Sequence, residues 1–552
     1  MPVITLNNER FSKFAERKLT LAEMVKWLPW LGVDIEEEGE DYVKIEFNPN
    51  RIDFCSYAGI ARAYKGLRGW QVGLPEYHAN PSTTTLVIDE TVLKVRPYML
   101  GAIVRNMQLD EDDIVDLMEM QEDLHWGIGR DRRKASIGVH NLDAVEPPFT
   151  FTAVKPESAS FVPLGETEEM NLGEVLEKNE KGKMYSQLVD WAPNYPLLID
   201  KNGKVLSMPP IINGELTKVD RNTRNLFLDV TGTDYVAVKR SLNVLSTALA
   251  DMGGTLEKVQ VECNTETVSS PELDPQKTIL HSSYACEMLG LKLSDSEITQ
   301  CLQKCRLGTR RANKGIIEVS VPAYRVDILH EIDLVEEVAI GYGYFKLKPT
   351  FPSSVTIGKS HAASKTADLA RQIMVGLGFT EAMNFTITSE NLQYVKMRRE
   401  IGKPIKIANP VSSQFTIMRH DLLPGLMKNL ADNKHESFPQ RLFEVSDVMK
   451  LNSTLETRCE RRLHVAAVTS HSTASFSEMK SNTVALIENL GLERWKLQEL
   501  DHSSFIKGRA VAISVGKKHV GIVGEVHPEV LNNFQLENPT AAFEVDMSNF
   551  AT

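Results

Sequence analysis

The sequence predicts a multidomain protein: mixed α/β units first, then an α+β unit built on an antiparallel sheet. Three observations lead there. At 552 residues the chain is too long for one core, and about three to five domains are expected. Up to about residue 350, strand-period and helix-period segments alternate, interrupted by Gly, Pro and Asn. Beyond about residue 360, many strand candidates accompany a few long helices. The boundaries read as 1–91, 92–265, 272–350 and 360–552, with no internal repeat of fixed period.

The first unit reads as a small α/β domain. A helical stretch near 19–31 precedes a strand over Tyr42–Phe47, where apolar and polar residues alternate. GIARAYKGLRG then reads as a helix ending at Gly66 or Gly69. Residues 74–91 carry prolines and a Ser/Thr cluster and read as a linker or an edge strand. The unit at 92–265 has short apolar runs separated by long loops, a mixed α/β pattern. The third unit opens on the strand KTILHS and a helix over 284–289, followed by a helix capped by Ser294 or Asp295. A strand at 317–321 exits at Pro322, and helical periodicity begins near Glu331. Residues 352–365 read as a linker. The last unit opens on the amphipathic helix ADLARQIMVGLG and continues with the strand candidates EAMNFTI, PIKIA, RLFEVSDVM, LHVAAV, AVAISV, HVGIVGEV and AAFEVDM.

A hydrophobic content of 42% and a charged content of 25% are those of an ordinary soluble globular protein. No apolar run approaches the roughly 18 residues of a membrane span, so no membrane partner is expected. The segment MPVITLNNERFSKFAERKLT lacks an apolar signal core and carries acids, which points to a cytoplasmic location. Six cysteines are scattered through the chain. Cys301 and Cys305 lie one helical turn apart without a matching second pair and read as reduced core thiols. With a net charge of −12, any nucleic-acid contact must come from a local basic patch. The densest is GRDRRK at 129–134, whose Arg130, Arg132, Arg133 and Lys134 form either such a patch or a solvated loop. No GxxxxGK phosphate loop or HExxH zinc motif occurs, and Gly341-Tyr342-Gly343 lacks the third glycine of a dinucleotide loop.

The stretch IIEVSVPAYRVDILHEIDLVEEVAIGYGY is the most informative. Leu334, Val335, Val338, Ala339 and Tyr342 form one apolar helix face. Asp333, Glu336 and Glu337, at i, i+3 and i+4, share the opposite side, and Asp327 lies just before the helix. Oxygen ligands from several carboxylates suit a hard cation such as Mg²⁺. Acids in a first helical turn are also favoured by the helix dipole with no metal present.

VPAYRVDI…EIDLVEEVAIGYGY is similar to the signature of a domain in the β subunit of phenylalanyl-tRNA synthetase, and the resemblance implies that Asp327, Asp333, Glu336 and Glu337 are Mg²⁺ ligands. LSDSEITQCLQKCRLG resembles the same domain. IANPVSSQFTIMRHDLLPGLMKNLADN, RLFEVSDV and GIVGEVHPEVLNNFQL resemble the subunit's catalytic-like module, which implies an antiparallel sheet of the class II synthetase kind. Arg441 and Glu444 in RLFE imitate a nucleotide-binding motif. No glycine-rich strand followed by arginine occurs near AAFEVDMSNF, so the module reads as non-catalytic, with ATP and adenylation in a separate α subunit. HWGIGRDRRKASIGVHNLD, PPFTF and VLSMPPIINGELTKVDRNTRNLFLDVTGTD are similar to the editing domain of the archaeal and eukaryotic cytosolic branch. From it Ser207, Asn213, Asp229 and Thr231 carry over as pocket residues, although no Ser–His–Asp or Cys–His constellation is evident and Asn213-Gly214 is also a standard turn dipeptide. FNPNRIDFCSYAGIARAYKGLRG resembles the first domain, with Ile52 in place of a usual proline. No oligonucleotide-binding insert stands near residue 40 and no C-terminal anticodon-binding domain follows, as expected of that branch.

The resemblance implies a subunit of an (αβ)₂ heterotetramer that charges tRNA(Phe) with phenylalanine and hydrolyses Tyr-tRNA(Phe), with Arg130–Lys134 steering the tRNA. The alternative is a non-catalytic tRNA-binding or scaffolding protein derived from the synthetase.

Overall fold

Alternating burial along Val3–Asn7 and Tyr42–Phe47 puts Ile4, Leu6, Val43, Ile45 and Phe47 on one face of a three-stranded antiparallel sheet, completed by Val33–Glu38 on the other side of Tyr42–Phe47. The helix Tyr57–Leu67 shares the core beneath this face, packing against Asn8–Phe14, and Gly69 beyond its end adopts a left-handed conformation (φ 71°). The expected helix near 19–31 is two elements, the α-helix Leu21–Trp27 and a 3₁₀ turn Leu28–Leu31, because Pro29 cannot extend the α-helix. The computed structural model describes residues 2–263, 266–351, 354 and 356–548. These fall into two units, Met1–Thr350 and Phe351–Thr552. Residues 352, 353 and 355 of the expected linker lie outside the described residues.

An eleven-stranded sheet dominates the first unit. Its path runs Ile212–Asn213, Val205–Met208, Tyr195–Ile199, Phe149–Val154, Thr85–Ile88, Thr255–Cys263, Tyr98–Arg105, Leu226–Gly232 and Ala135–Asn141, with two further strands on Thr255–Cys263. Thr255–Cys263 bridges the halves, pairing antiparallel with Tyr98–Arg105 through its first residues and parallel with Thr85–Ile88 through its last. Residues 74–91 therefore correct the linker-or-edge expectation. Thr85–Ile88 is an interior strand with partners on both sides, and Leu86 and Ile88 point into the core. The helix Tyr235–Asp251 packs Val238, Leu242, Leu245 and Leu249 onto this sheet at i, i+4, i+7 and i+11.

The third segment forms a three-stranded sheet with Ile316–Val321 between Gln276–His281 and Gly308–Asn313. Ser294 caps Asp295–Lys304, accepting from the Glu297 N–H while the Glu297 carboxylate reaches back to the Ser294 N–H. Leu334, Val335 and Val338 of Glu331–Tyr342 enter this core as expected.

The second unit carries a seven-stranded sheet in the order Thr380–Glu381, Gln440–Leu451, Cys459–Ser470, Thr540–Asp546, Lys518–Val526, Phe505–Val515, Trp495–Glu499. It is antiparallel except at its first pair. Strand alternation splits its apolar residues between two cores. Val465 and Ala467 face the helices Ala362–Gly376 and Phe476–Asn489, whereas Ala466 and Val468 face Leu423–Asp432. Two expected strands are corrected: PIKIA contributes a single bridge from Lys406 to Ile417, and EAMNFTI is divided between Thr380–Glu381 and Ile387–Thr388.

Candidate functional site

Leu226–Gly232 is buried along its whole length, flanked by Tyr98–Arg105 and Ala135–Asn141. Two residues apart, Asp229 and Thr231 project from one face. Asp229 has a glycine opposite it on each neighbour, Gly101 and Gly138. A Cβ at Gly138 would stand 2.2 Å from Asp229 Oδ2 and 2.7 Å from His140 Nε2. Glycine at this position therefore makes room for the contact that follows.

His140 Nε2 lies 2.7 Å from Asp229 Oδ2, and His140 Nδ1 lies 2.8 Å from Thr217 Oγ1. All three residues are buried, and the imidazole stacks on Phe227. The Nε2–H donates to the carboxylate, which fixes the ring's orientation. Thr231 belongs to a second set: its Oγ1 accepts from Arg96 Nε at 2.8 Å and lies 3.1 Å from Ser136 Oγ. Arg96 Nη2 donates to the carbonyls of Thr231 and Arg132 at 2.8 and 3.1 Å. Burial pulls the Arg96 guanidinium down to about 9, with Asp229 acting against this and Arg132 adding to it.

Ser207 pairs in register with Asn213, and its buried hydroxyl has no hydrogen-bond partner among the described residues. Asn213 Nδ2 points at the Val139 carbonyl, 3.5 Å away. This approach and the Thr217–His140 bond bring the two ends of the strand path together. The structure thus draws all four expected pocket residues into one region, centred on groups the sequence reading had not singled out: His140, Thr217, Arg96 and Ser136. His140 and Asp229 form a histidine–acid pair that the sequence reading did not name; the third partner is Thr217, so the set is neither Ser–His–Asp nor Cys–His. Its signal was present, because Ser136, Gly138 and His140 alternate on one face of SIGVH. Nothing comparable marked Arg96.

The basic run divides. Arg130, Arg133 and Lys134 are exposed, and Lys134 bonds Asp234 at 2.9 Å. Arg132 is corrected as a nucleic-acid contact. It is buried, donates to the Pro210 and Ile211 carbonyls at 3.2 and 2.8 Å, pairs with Glu122 at 2.8 Å and lies over the Tyr185 ring. Arg130, Asp131 and Arg132 all have positive φ (51°, 53° and 64°), so the chain turns left-handed there and sends Arg132 inward.

Among the four clustered acids, Asp327 and Glu337 share one guanidinium. Arg325 donates to Asp327 at 2.8 and 2.7 Å and to Glu337 at 3.1 and 2.5 Å. Glu337 is buried, which corrects its expected place on the open side of the helix. Burial opposes the charge on Asp327, but Arg325 overrides it and holds the carboxyl below its ordinary range. Asp333 accepts from the N–H groups of Leu329 and His330, both at 2.7 Å. Glu336 remains exposed, its carboxyl pushed up by burial and then by Glu337, Asp327 and Asp333.

In the second unit, Arg441 donates to Glu478 at 2.9 Å and Glu444 receives Arg419 at 2.7 Å. Both residues of the nucleotide-motif mimic are therefore engaged internally. Asp421, His464 and Glu544 bring three ligand-type atoms within 4.8 Å of one another. Glu544 also accepts from the N–H groups of Leu422 and Leu423, and Asp421 from Arg399. This cluster thus anchors the start of Leu423–Asp432.

Three family models match in chain order: the B3/4 domain over residues 97–250, the tRNA synthetase B5 domain over 279–344, and the phenylalanyl tRNA synthetase beta chain CLM domain over 347–547. Such a combination defines an aminoacyl-tRNA ligase subunit. The chain is 38% identical to the phenylalanine–tRNA ligase beta subunit of Methanosphaera stadtmanae, over 99% of this chain and 100% of that one. It is 42% identical to the phenylalanine–tRNA ligase beta subunit of Archaeoglobus fulgidus, over 100% and 99%. A crystal structure of an N-terminal fragment of the phenylalanyl-tRNA synthetase beta subunit from Pyrococcus horikoshii superposes with a TM-score of 0.60 at 36% identity, covering 62% of this chain and 99% of that one. The chain belongs to the phenylalanine–tRNA ligase β-subunit family.

Proposed function

We propose that the chain is the β half of an (αβ)₂ phenylalanine–tRNA ligase in the cytoplasm, and that its 92–265 unit hydrolyses Tyr-tRNA(Phe). The observation that carries the hydrolytic reading is the buried polar set around Asp229. What separates it from the buried polar groups of the second unit is Arg96, whose guanidinium meets neutral oxygens and a cavity where Arg419 meets a carboxylate.

The need follows from chemistry. A phenylalanine pocket rejects tyrosine, which adds only a hydroxyl, by about a hundredfold, so a second site is required for higher fidelity. Here Asp229, oriented by His140, takes the tyrosine hydroxyl or the attacking water, with Thr231 and Asn213 holding the ester. A phenyl ring in the same place leaves a polar group unpaired, at about 1–3 kcal/mol. With Arg441 and Glu444 occupied by internal partners, this chain does not fit ATP, and adenylation is assigned to the α subunit.

The acids Asp327, Asp333, Glu336 and Glu337 match a hard cation in donor type, and an ion there would share the oxygens of Asp327 and Glu337 with Arg325. Bound there, Mg²⁺ supplies charge neutralisation at the junction between strand and helix. The boundaries 1–91, 92–265, 272–350 and 360–552 are the domain division we adopt. Co-expression with the α subunit tests the assignment: a complex of two α and two β chains should charge tRNA(Phe), and the β chain alone should not adenylate phenylalanine. A β chain that adenylates alone, or that never joins α, contradicts it.

A further inference from the structure

Beside this set, a cavity of about 170 Å³ is lined by Val95, Arg96, Pro210 and Thr233 on the sheet side and by Arg133, Gln187 and Trp191 toward solvent, with Leu188 and Val189 between. Its lining carries two guanidiniums and no acid, in a chain of net charge −12. Both larger cavities include carboxylates.

Five arginines are buried among the described residues. Arg62, Arg132, Arg325 and Arg419 each face a carboxylate, at 2.7, 2.8, 2.5 and 2.7 Å. Arg96 faces none. Its Nε and Nη2 are spent on Thr231 and Arg132, and its Nη1 has no partner among the described residues. Arg133 is exposed, and its side chain meets no acid or acceptor among the described residues. Trp191 is 62% exposed, yet its indole N–H is held by the Leu188 carbonyl at 3.1 Å, which presents the ring as a fixed face.

We propose that this cavity is the seat of a single-stranded RNA end: Arg96 and Arg133 hold a phosphodiester, and Trp191 stacks the adjoining base. Paired guanidiniums without acids match phosphate oxygens, and an aromatic face beside them is how unpaired bases are held without sequence readout. The volume is below that of an ordinary small-molecule pocket, so a phosphate and its sugar fit inside while the base lies against Trp191. Arg96 is a positioning residue as well, because the guanidinium that meets the phosphate also fixes Thr231. Phosphate binding and the orientation of Thr231 are thereby linked through one side chain. The proposal rests on the hydrolytic reading and names the part of that substrate seated here.

The test uses the αβ complex and tRNA(Phe) carrying a photoreactive group at its 3′-terminal nucleotide. Irradiation should attach the RNA to the peptide containing Gln187 and Trp191, and Arg133→Ala should lose that adduct. Arg133→Ala and Trp191→Ala alter exposed side chains. Each should raise KM for Tyr-tRNA(Phe) hydrolysis about tenfold with kcat unchanged. Crosslinking needs no turnover. An adduct in a complex that does not hydrolyse Tyr-tRNA(Phe) supports the RNA seat and sinks the hydrolytic reading alone. No adduct at this peptide, or an adduct and KM indifferent to both substitutions, overturns the seat. Inorganic phosphate binding that Arg133→Ala abolishes while the RNA adduct is unaffected also overturns it, since the cavity is then a site for free anions.

Discussion

Arg96 in the first unit and Arg419 in the second are equally buried, at 3% exposure each, and both sit against large sheets. Arg419 is satisfied on every side: Glu444 at 2.7 Å, the Asp447 and Asn384 carbonyls at 2.9 and 3.1 Å, and Ser446 Oγ at 2.6 Å. Arg96 has neutral oxygens on one side and a cavity on the other. The first arrangement closes a fold. The second leaves charge available for something that is not protein. In the same way the RLFE arginine of the second unit donates to Glu478 and its glutamate receives Arg419. Two sheets of one chain thus divide the work between packing and recognition.

Stability measurements sharpen this contrast. Glu444→Gln leaves the Arg419 charge buried without a carboxylate, and should cost about 3–5 kcal/mol in the unfolding of the second unit. Next in size is a pH effect near the first unit's site. His125 Nε2 accepts from the Ile137 N–H at 2.8 Å, and burial pulls this imidazole down to about 4. The unfolded chain binds a proton there below about pH 6.5 that the folded chain refuses, so stability should fall as pH drops from about 6.5 to 4, by at most about 3 kcal/mol. Denaturant titrations across that window should show the slope, and His125→Gln should flatten it. The smallest effect expected is that of Arg96→Met, about 1–2 kcal/mol, because losing a buried cation that no carboxylate pairs offsets part of the cost of leaving the Thr231 and Arg132 oxygens without its donors. A loss as large as that of Glu444→Gln would break the comparison.

Local pattern carried much of the fold. The alternation at Tyr42–Phe47, the Ser294 cap and the apolar face of Glu331–Tyr342 are written in residues close along the chain. Pairing between distant strands is not. Residues 74–91 read as a linker or an edge strand because their prolines and Ser/Thr cluster are local signals, while the parallel partner of Thr85–Ile88 lies at Thr255–Cys263. The site divides along the same line. Asp229 and Thr231 are visible in LFLDVTG, whereas His140, Thr217 and Arg96 arrive from 89, 12 and 135 residues away in sequence. Charge runs mislead for a related reason. GRDRRK gives no sign that the turn at 130–132 sends Arg132 inward, and VPAYRVDI gives none that Arg325 will take two of the four acids.

The central claim is that the first unit's polar set is a hydrolytic site. Its most direct test is deacylation of preformed Tyr-tRNA(Phe) by the αβ complex, parent against Asp229→Asn. The account predicts rapid release of tyrosine by the parent, a loss of about a hundredfold or more in the variant, and unchanged charging of phenylalanine by both. A variant that deacylates at the parent rate would contradict the site, and a parent complex that leaves Tyr-tRNA(Phe) intact would contradict the function.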